Sequence, residues 1–317
     1  MENPRIALVL GSGAARGLAH IGVIKVLEKN KIPIHIVIGT SMGAFVGGYY
    51  SAGFSAELME EIALQVDKRF VVKTFIPGLQ KGGFVNIDRV RDFVSNHLDD
   101  KEIEQLSISY SSVATDLTDG SEMVLNSGKL VDAILSSIAI PILFTPVKYQ
   151  ERLLVDGGLV NPLPVSVAYE NNADIIIAVN AIPNPGKYWK LKNHDRQNIL
   201  NKFLSVSKEQ FLKQLNFFND KEEGETINLK NERSRKIYKQ PNLLKILLQT
   251  IIIFETQLQS LQLLLWKPDI LISPSIERYS ILDFYKAKDI IKAGEESAIK
   301  ALAEIEKLIN RIKTKNP

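Results

Sequence analysis

The stretch that decides the fold is IHIVIGTSMGAFVGGYY, residues 34–50. Its first half is a β-rich apolar run that ends at Gly39, and such a run is typical of a buried strand in a parallel sheet. Its second half, after Ser41, is rich in small residues and predicts a closely packed helix. We therefore expect a sharp strand-to-helix turn at residues 39–43.

The same stretch lies within an uncharged run, residues 32–56, that is long enough to suggest a membrane span. The run contains Pro33, His35 and five glycines, which favours a buried strand followed by a buried helix. Gly43 and Gly47 form a GxxxG pattern, which serves membrane helix dimers in other proteins. Close packing of helix on sheet is the better explanation here.

Elements of the same kind extend outward from this stretch. The apolar run RIALVL precedes a glycine loop and a helical pattern, and further strands are predicted in ADIIIAVNAI, PDILISPSI and FTPVKYQERLLVDGG. Two more strands flank Asp119-Gly120, a hairpin turn signal, and LVDAILSSIAIP predicts a helix. This order predicts an α/β fold in three layers, with a mainly parallel central sheet flanked by helices.

The domain organisation is predicted from shifts in composition. Residues 1–183 form the core, residues 184–240 are a polar, charged insertion, and residues 241–317 supply a helical segment, a last strand and C-terminal helices that complete the same domain. The stretch 243–266 is apolar except for Lys245 and Glu255. It is expected to be a helix or helical hairpin buried against the sheet, or a helix with one face over a pocket or on a membrane surface.

Composition excludes several classes of protein. The 317 residues are 45% hydrophobic, as in a globular protein with a core, and they include no cysteine, which excludes disulfides, thiol nucleophiles and cysteine-ligated metals. A net charge of +3 is too small to indicate a nucleic-acid partner. The N-terminus does not resemble a signal peptide, so we expect a cytoplasmic protein.

Ser41 is the candidate nucleophile. A Gly-x-Ser-x-Gly turn between a strand and a helix lifts the serine hydroxyl out of the sheet, and the flanking Gly39 and Gly43 avoid clashes in the turn. At the N-terminus of the following helix, the dipole and free N–H groups favour developing negative charge. The alternative is a turn of small residues that serves packing alone.

The first glycine loop, GSGAARG at residues 11–17, has three interpretations. A dinucleotide-binding loop needs a third glycine where this chain has Arg16, and its downstream acid is missing. An oxyanion hole would use the backbone N–H groups of Gly13 and Ala14. A tight strand-to-helix turn needs no function at all.

The base is harder to assign. A serine–acid–histidine order needs a histidine late in the chain, but His20 and His35 precede Ser41 and His97 lies on a predicted amphipathic helix. Only His194 follows the plausible acids, within the charged insertion. The chain therefore has few histidines that could complete a conventional serine–acid–histidine triad.

Four motifs in order carry a resemblance: GSGAARG, GTSMG, SSIAIP and LLVDGGLVNPLP. They resemble those of the patatin-like phospholipases, particularly the bacterial branch, over about residues 5–181. The resemblance implies a Ser–Asp dyad without histidine, an acyl-enzyme intermediate, a phospholipid or lysophospholipid substrate, and no metal or cofactor. It assigns Ser41 as nucleophile and Asp156 as proton acceptor. The implied oxyanion-hole and DGG-motif residues are Gly11, Gly13, Ala14, Arg16, Gly157 and Gly158.

Two positions depart from the family pattern. Ser12 stands where glycine is frequent, and Ile142 follows Pro141 where glycine is common. Alternative functions on the same motifs are a carboxylesterase or thioesterase for other acyl esters, and a non-enzymatic regulatory protein. We expect a lipid partner with peripheral contact at the inner membrane face, and the sequence gives no oligomeric state.

Overall fold

A computed structural model describes residues 4–69, 71, 87–183 and 243–315, with the side chains of 246–314 described in the last range. The predicted 184–240 insertion, with His194, lies outside the described residues. The chain divides into two compact units, residues 1–191 together with 251–317, and residues 192–250. The predicted boundaries on either side of the insertion stay predictions.

The described strands and helices follow the predicted order. The strands are β1 (Ile6–Leu10), β2 (Ile36–Thr40), β3 (Ser109–Asp116), β4 (Glu122–Leu125), β5 (Val147–Tyr149), β6 (Arg152–Asp156), β7 (Ile175–Val179) and β8 (Ile270–Ile272). The helices are α1 (Ala19–Lys29), α2 (Met42–Ser51), α3 (Ala56–Leu64), α4 (Asp88–Leu98), α5 (Leu130–Ile138), α6 (Val165–Glu170), α7 (Leu243–Leu265) and α8 (Ala287–Lys315).

The strands form one sheet in the order β5-β6-β3-β2-β1-β7-β8, and β4 pairs with β3 off this path. Four pairs are parallel: β3–β2, β2–β1, β1–β7 and β7–β8. Three pairs are antiparallel: β3–β4, β3–β6 and β5–β6. The predicted mainly parallel sheet is therefore confirmed. The parallel strands β1, β2 and β7 are buried along their whole length, which explains their continuous apolar sequences.

Helices cover both faces of the sheet. Ala7 and Val9 of β1 lie in one apolar cluster with Val165 and Val167 of α6. On the other face, a Cβ on Gly47 of α2 would contact Leu10 and Val37, because the helix lies directly on the strands. The GxxxG pattern thus serves packing of helix on sheet.

Three details of the sequence-based assignment differ. The stretch 144–158 contains two strands, β5 and β6, joined by a tight turn in which Gln150 has φ 52°. The predicted C-terminal helices are one helix of 29 residues, α8. The helix before Pro141 ends at Ile138, since the residue before a proline disfavours the helical conformation.

Helix α7 is a single helix of 23 residues, and several of its residues have the opposite exposure from that expected of their polarity. From residue 251 onward, Glu255, Thr256 and Gln259 are buried, whereas Phe254, Leu261 and Leu264 are 61–71% exposed. Several polar side chains of α7 thus face the protein and several apolar ones face outward, while Leu248 is buried and Leu263 packs against the core. Among the described helices, none combines the length and apolar character that a membrane-spanning segment requires.

Candidate active site

Sheet register brings the two dyad candidates together. Thr40 pairs with Val113, and Asp156 pairs with Ala114, the next residue of β3. Ser41 directly follows β2, so it and Asp156 lie across β3 from each other at one edge of the sheet. The Ser41 Oγ donates a hydrogen bond to Asp156 Oδ2 at 2.6 Å, and both residues are 2% exposed.

The turn at Ser41 has the geometry of a nucleophile elbow. Ser41 adopts φ 56° and ψ −124°, a left-handed backbone conformation that costs a non-glycine residue on the order of 1–3 kcal/mol. The turn persists because its surroundings hold it: Ser41 N–H donates to Ser137 Oγ at 2.9 Å, and Ser137 Oγ donates to Val113 O at 2.5 Å. Such stored strain clusters at functional sites.

The elbow glycines are required by close approach. A Cβ on Gly39 would overlap the backbone of Ala44, and one on Gly43 would overlap the carbonyl group of Leu10. Strand β1 and helix α2 therefore touch through backbone atoms at this point. This explains why the predicted motif has glycine on both sides of Ser41.

Asp156 is held from three directions. Its Oδ1 accepts from Gly158 N–H at 2.8 Å, its carbonyl accepts from Thr115 Oγ1 at 2.8 Å, and its N–H donates to Ala139 O at 3.0 Å. A Cβ on Gly157 would overlap Val113 O, so the DGG turn lies against β3. The carboxylate has little freedom to leave Ser41.

Burial changes the acid–base properties of this pair. Removal from water raises the pKa of Asp156 to about 7, although the hydrogen bonds from Ser41 and from Gly158 oppose the rise. An aspartate with an ordinary pKa near 3.9 is a weak base. A value near neutrality matches what a general base needs at physiological pH.

The Gly11–Arg16 loop adjoins the elbow. The N–H groups of Gly11, Ser12, Ala15 and Arg16 donate to the carbonyls of Val179, Pro162, Ile281 and Gly13, respectively. Within the described part of the chain, the amides of Gly13 and Ala14 have no such partner. Ala14 also lines the pocket that contains Ser41, whereas Gly13 does not.

Close contacts and hydrogen bonds of its own residues hold this loop in place. A Cβ on Gly13 would lie 2.7 Å from Ala181 O, and Ala14 has φ 48°, so the loop is tightly constrained. The Arg16 side chain is 2% exposed, and its Nε donates to Gly13 O at 3.3 Å. Gly11 and Arg16 therefore shape the loop through their own hydrogen bonds.

The described histidines lie in structural positions. His20 is fully buried with Nε2 2.8 Å from Gly11 O, and burial lowers its pKa to about 4. His35 Nδ1 accepts from Ile6 N–H at 3.1 Å. His97 Nδ1 lies 2.8 Å from Phe93 O. Each of these contacts joins a histidine side chain to a backbone atom, and none involves Ser41.

An apolar pocket opens beside the serine. It has about 1150 Å³ of empty volume, including space open to solvent. Besides Ser41 and Arg89, its lining is apolar or aromatic and comes from the 14–18 segment, α1 to α5, the 140–144 segment and the 281–284 segment; examples are Leu18, Phe45, Met59, Phe93, Ile138 and Phe144. A pocket of this character suits a hydrocarbon chain.

Ile142, the second position that departs from the family pattern, lies next to the wall of this pocket. Ile142 has φ 75°, a conformation in which a β-branched residue is an outlier and which glycine adopts freely. The next residues, Leu143 and Phe144, line the pocket. The chain keeps the backbone course that a glycine would permit, with a bulky residue in its place.

Sequence reasoning missed two residues of the site. Ser137 lies within the quoted SSIAIP motif, but its role in fixing the elbow depends on an inter-element hydrogen bond that no local pattern reveals. Glu255 of α7 approaches Asp156 from the other side, and its Oε2 lies 3.3 Å from Ser12 Oγ. Its signal was available, because it is the one acid in the apolar stretch 243–266.

Comparison with known proteins identifies the family. Residues 8–169 match the Patatin-like phospholipase family model. An uncharacterized NTE family protein of Mycobacterium bovis is 41% identical over 179 residues, covering 56% of this chain and 49% of that protein. Lysophospholipase NTE1 of Meyerozyma guilliermondii is 31% identical over 192 residues, covering 57% of this chain and 13% of that protein.

A solved structure, VipD from Legionella pneumophila, aligns over 96% of this chain and 67% of its own, with a TM-score of 0.42 and 12% sequence identity. The chain spans about half the length, or less, of the curated relatives it matches. The family model covers half of the chain and includes the elbow, the glycine loop and the DGG turn. On this evidence, the chain belongs to the patatin-like phospholipase family.

Proposed function

We propose that the chain is a serine acyl hydrolase that cleaves carboxylic ester bonds of phospholipids or lysophospholipids. The observation that carries the proposal is the 2.6 Å hydrogen bond from Ser41 Oγ to Asp156 Oδ2 beside an apolar pocket. The family, and relatives whose names include a lysophospholipase, support a lipid ester as substrate.

The reaction proceeds in two halves. In the first, Ser41 Oγ attacks the ester carbonyl carbon while Asp156 takes its proton, and the alcohol leaves with that proton to give an acyl-enzyme. In the second, Asp156 takes a proton from water as the water attacks the acyl group, and Ser41 regains its proton as the fatty acid departs. A pKa near 7 lets Asp156 both accept and return a proton.

The oxyanion that forms in each half needs stabilisation. The amides of Gly13 and Ala14 are suited to this role, because the other loop amides donate to backbone carbonyls and Ala14 lines the pocket with Ser41. Preorganised donors of this kind contribute about 2.7–4 kcal/mol each to the transition state in well-studied acyl-transfer enzymes.

The exposed apolar residues of helix α7 support contact with a lipid surface. Phe254, Leu261, Leu264 and Leu265 are 61–77% exposed, and one apolar helix face suffices for weak, reversible attachment to a membrane. A protein that takes long-chain lipids from a bilayer needs such a contact. We propose that this face rests on the lipid surface and that Lys307 and Arg311 of α8 add attraction to anionic lipid.

Active-site labelling tests the proposed function. The wild-type chain should react with a fluorophosphonate probe at Ser41 and release fatty acid from lysophosphatidylcholine. Ser41→Ala should lose both the label and at least about 10³-fold of turnover while remaining folded. Ser51→Ala, at a buried serine on the other end of α2, is the matched control and should retain both. A label that maps to another serine would contradict the assignment.

A further inference from the structure

The inward face of α7 brings a second carboxyl group to the dyad. Glu255 is 9% exposed, and a Cβ built on Gly158 would lie 2.5 Å from Glu255 Oε1 and 3.1 Å from Asp156 Oδ1. The two carboxyl oxygens cannot be further apart than the sum of those distances. The dyad reaction uses one carboxyl group, so the second needs an explanation.

Glu255 also touches the oxyanion loop. Its Oε2 lies 3.3 Å from Ser12 Oγ. The N–H of Ser12 donates to Pro162 O at 2.8 Å, which ties the loop to the segment after the DGG turn. Glu255 thus lies between the loop that would bind the oxyanion and the turn that carries the base.

The charges in this cluster favour one retained proton. Among the described residues, the charged groups that act on Glu255 are Asp156, which raises its pKa, and Arg16, which lowers it. One cation balances one carboxylate, so two buried carboxylates would leave an excess negative charge. In the part of the chain that the structure describes, the Asp156 carboxyl group accepts hydrogen bonds from Ser41 and Gly158, whereas that of Glu255 accepts one, from Ser12. Asp156 is therefore the better place for the negative charge.

We propose that Glu255 is a positioning residue whose protonated carboxyl group links the Ser12 loop to the Asp156 turn, and whose ionisation turns the site off. This inference rests on the proposed hydrolase function. When Glu255 loses its proton, a second negative charge lies beside the base and close to the developing oxyanion, where it opposes the transition state. Burial, and then the neighbouring Asp156 carboxylate, raise the pKa of Glu255 to about 8.

The order of these ionisations gives a specific pH profile. The dyad needs Asp156 ionised and Glu255 protonated, so kcat/KM should rise through about pH 7 and fall above about pH 8. In Glu255→Gln, a neutral amide replaces the protonated acid and keeps a hydrogen-bonding group near Ser12. The variant should keep the rise and lose the fall. At pH 9 only about one tenth of wild-type sites would be protonated at Glu255, so the variant should be about tenfold faster there.

The experiment measures kcat/KM for a short butyrate ester from pH 5.5 to 9.5 on the full chain. Thr256→Ala is the matched control, because Thr256 is a buried neighbour whose hydroxyl donates within α7, to Ile252 O at 2.6 Å. It should keep the wild-type shape, whereas a merely structural effect of Glu255→Gln would lower kcat/KM at every pH. An alkaline fall that persists in Glu255→Gln, or that is missing from the wild type, would overturn the proposal.

Two further outcomes are distinguishable. If Glu255→Gln does not fold, Glu255→Asp serves instead, since a shortened carboxyl group must move the alkaline limb; an unmoved limb overturns the proposal. If wild-type Ser41 is neither labelled by a fluorophosphonate nor active on any ester, the proposed function fails and this inference falls with it. If Ser41 is labelled and the profile of Glu255→Gln matches the wild type, only the inference fails.

Discussion

The proposed dyad, Ser41 and Asp156, lies between two unlike regions of the molecule. On the α2 side, Ser41 faces a pocket lined by apolar and aromatic side chains from α2 to α5. On the α7 side, Asp156 faces Glu255, with Ser12 and Arg16 close by. The first region suits the acyl chain and contributes little charge. The four residues of the second do not line the pocket, and they set the charge around the proposed base. Substrate size and acid–base behaviour should therefore respond to different substitutions.

The largest effect is expected at the boundary between the two regions. Asp156→Asn removes the base but keeps the size of the side chain, so kcat should fall by about 10²–10⁴-fold on short and long esters alike. Asp116→Asn, a carboxyl that pairs with Arg152 on the same sheet, is the control and should stay within a few-fold of wild type. His194→Ala should also retain most activity. A folded but inactive His194→Ala would refute the dyad.

The outward face of α7 should matter only for substrates in a bilayer. The triple variant Phe254→Gln, Leu261→Gln and Leu264→Gln should lose at least tenfold in binding to vesicles of phosphatidylcholine with phosphatidylglycerol, because each apolar side chain contributes about 1.5–3 kcal/mol when fully buried. Turnover of short soluble esters should be unchanged. The control variant replaces three exposed apolar residues elsewhere, Leu117, Leu153 and Ile299. If the α7 variant unfolds, or if its turnover of bilayer lipids and of short soluble esters falls equally, the face belongs to the core.

The pocket side should control chain length. Ala63 of α3 is buried and lines the pocket, whereas its neighbour Leu64 is 50% exposed and does not. Ala63→Trp should lower kcat/KM about tenfold for esters of twelve or more carbons relative to a butyrate ester, since the larger side chain fills space that the chain needs. Leu64→Trp should leave that ratio unchanged. Equal losses on both chain lengths would show that the pocket does not select for length.

The α7 side should be visible in stability even without substrate. Burial raises the pKa of Glu255 to about 8, so between its ordinary value and pH 8 the folded state holds a proton that the unfolded state has released. Its contribution to stability is therefore greatest at low pH and falls by about 1.4 kcal/mol per pH unit through this window. Glu255→Gln should remove that slope, leaving the similar contribution of Asp156. Urea unfolding of the wild type and of Glu255→Gln at pH 5.5, 6.5 and 7.5 measures how the free energy of unfolding changes with pH. The same change in both proteins would contradict the raised pKa of Glu255.

Much of the fold follows from local patterns, and the parts that do not have physical causes. Continuous apolar runs gave β1, β2 and β7, and Asp119-Gly120 gave the β3–β4 hairpin, because each signal is contained in a few residues. The division of 144–158 into β5 and β6 was missed, since the turn at Gln150-Glu151 has no glycine or asparagine to mark it. The proposed Ser41 and Asp156 pair comes from motifs, and the structure places Ser41 Oγ 2.6 Å from Asp156 Oδ2.

The stretch 243–266 marks the limit of pattern reasoning. Its apolar majority predicts a buried helix, but a helix buries whichever face its surroundings can satisfy. Glu255 has Ser12 as a partner, and Gln262 Nε2 donates to Val160 O at 2.9 Å. These partners lie more than 100 residues away in sequence, so no window on α7 alone could reveal which face points inward.

The backbone contact between Gly43 and Leu10 has a consequence for regulation. Since no side chain separates α2 from the end of β1 at Gly43, the elbow and the glycine loop are in direct backbone contact, and we expect them to move together. The catalytic geometry should be as complete in dilute solution as at a lipid interface. Any interfacial activation of this protein would then arise from entry of the lipid into the pocket, and a small water-soluble inhibitor should bind at the same rate with or without vesicles.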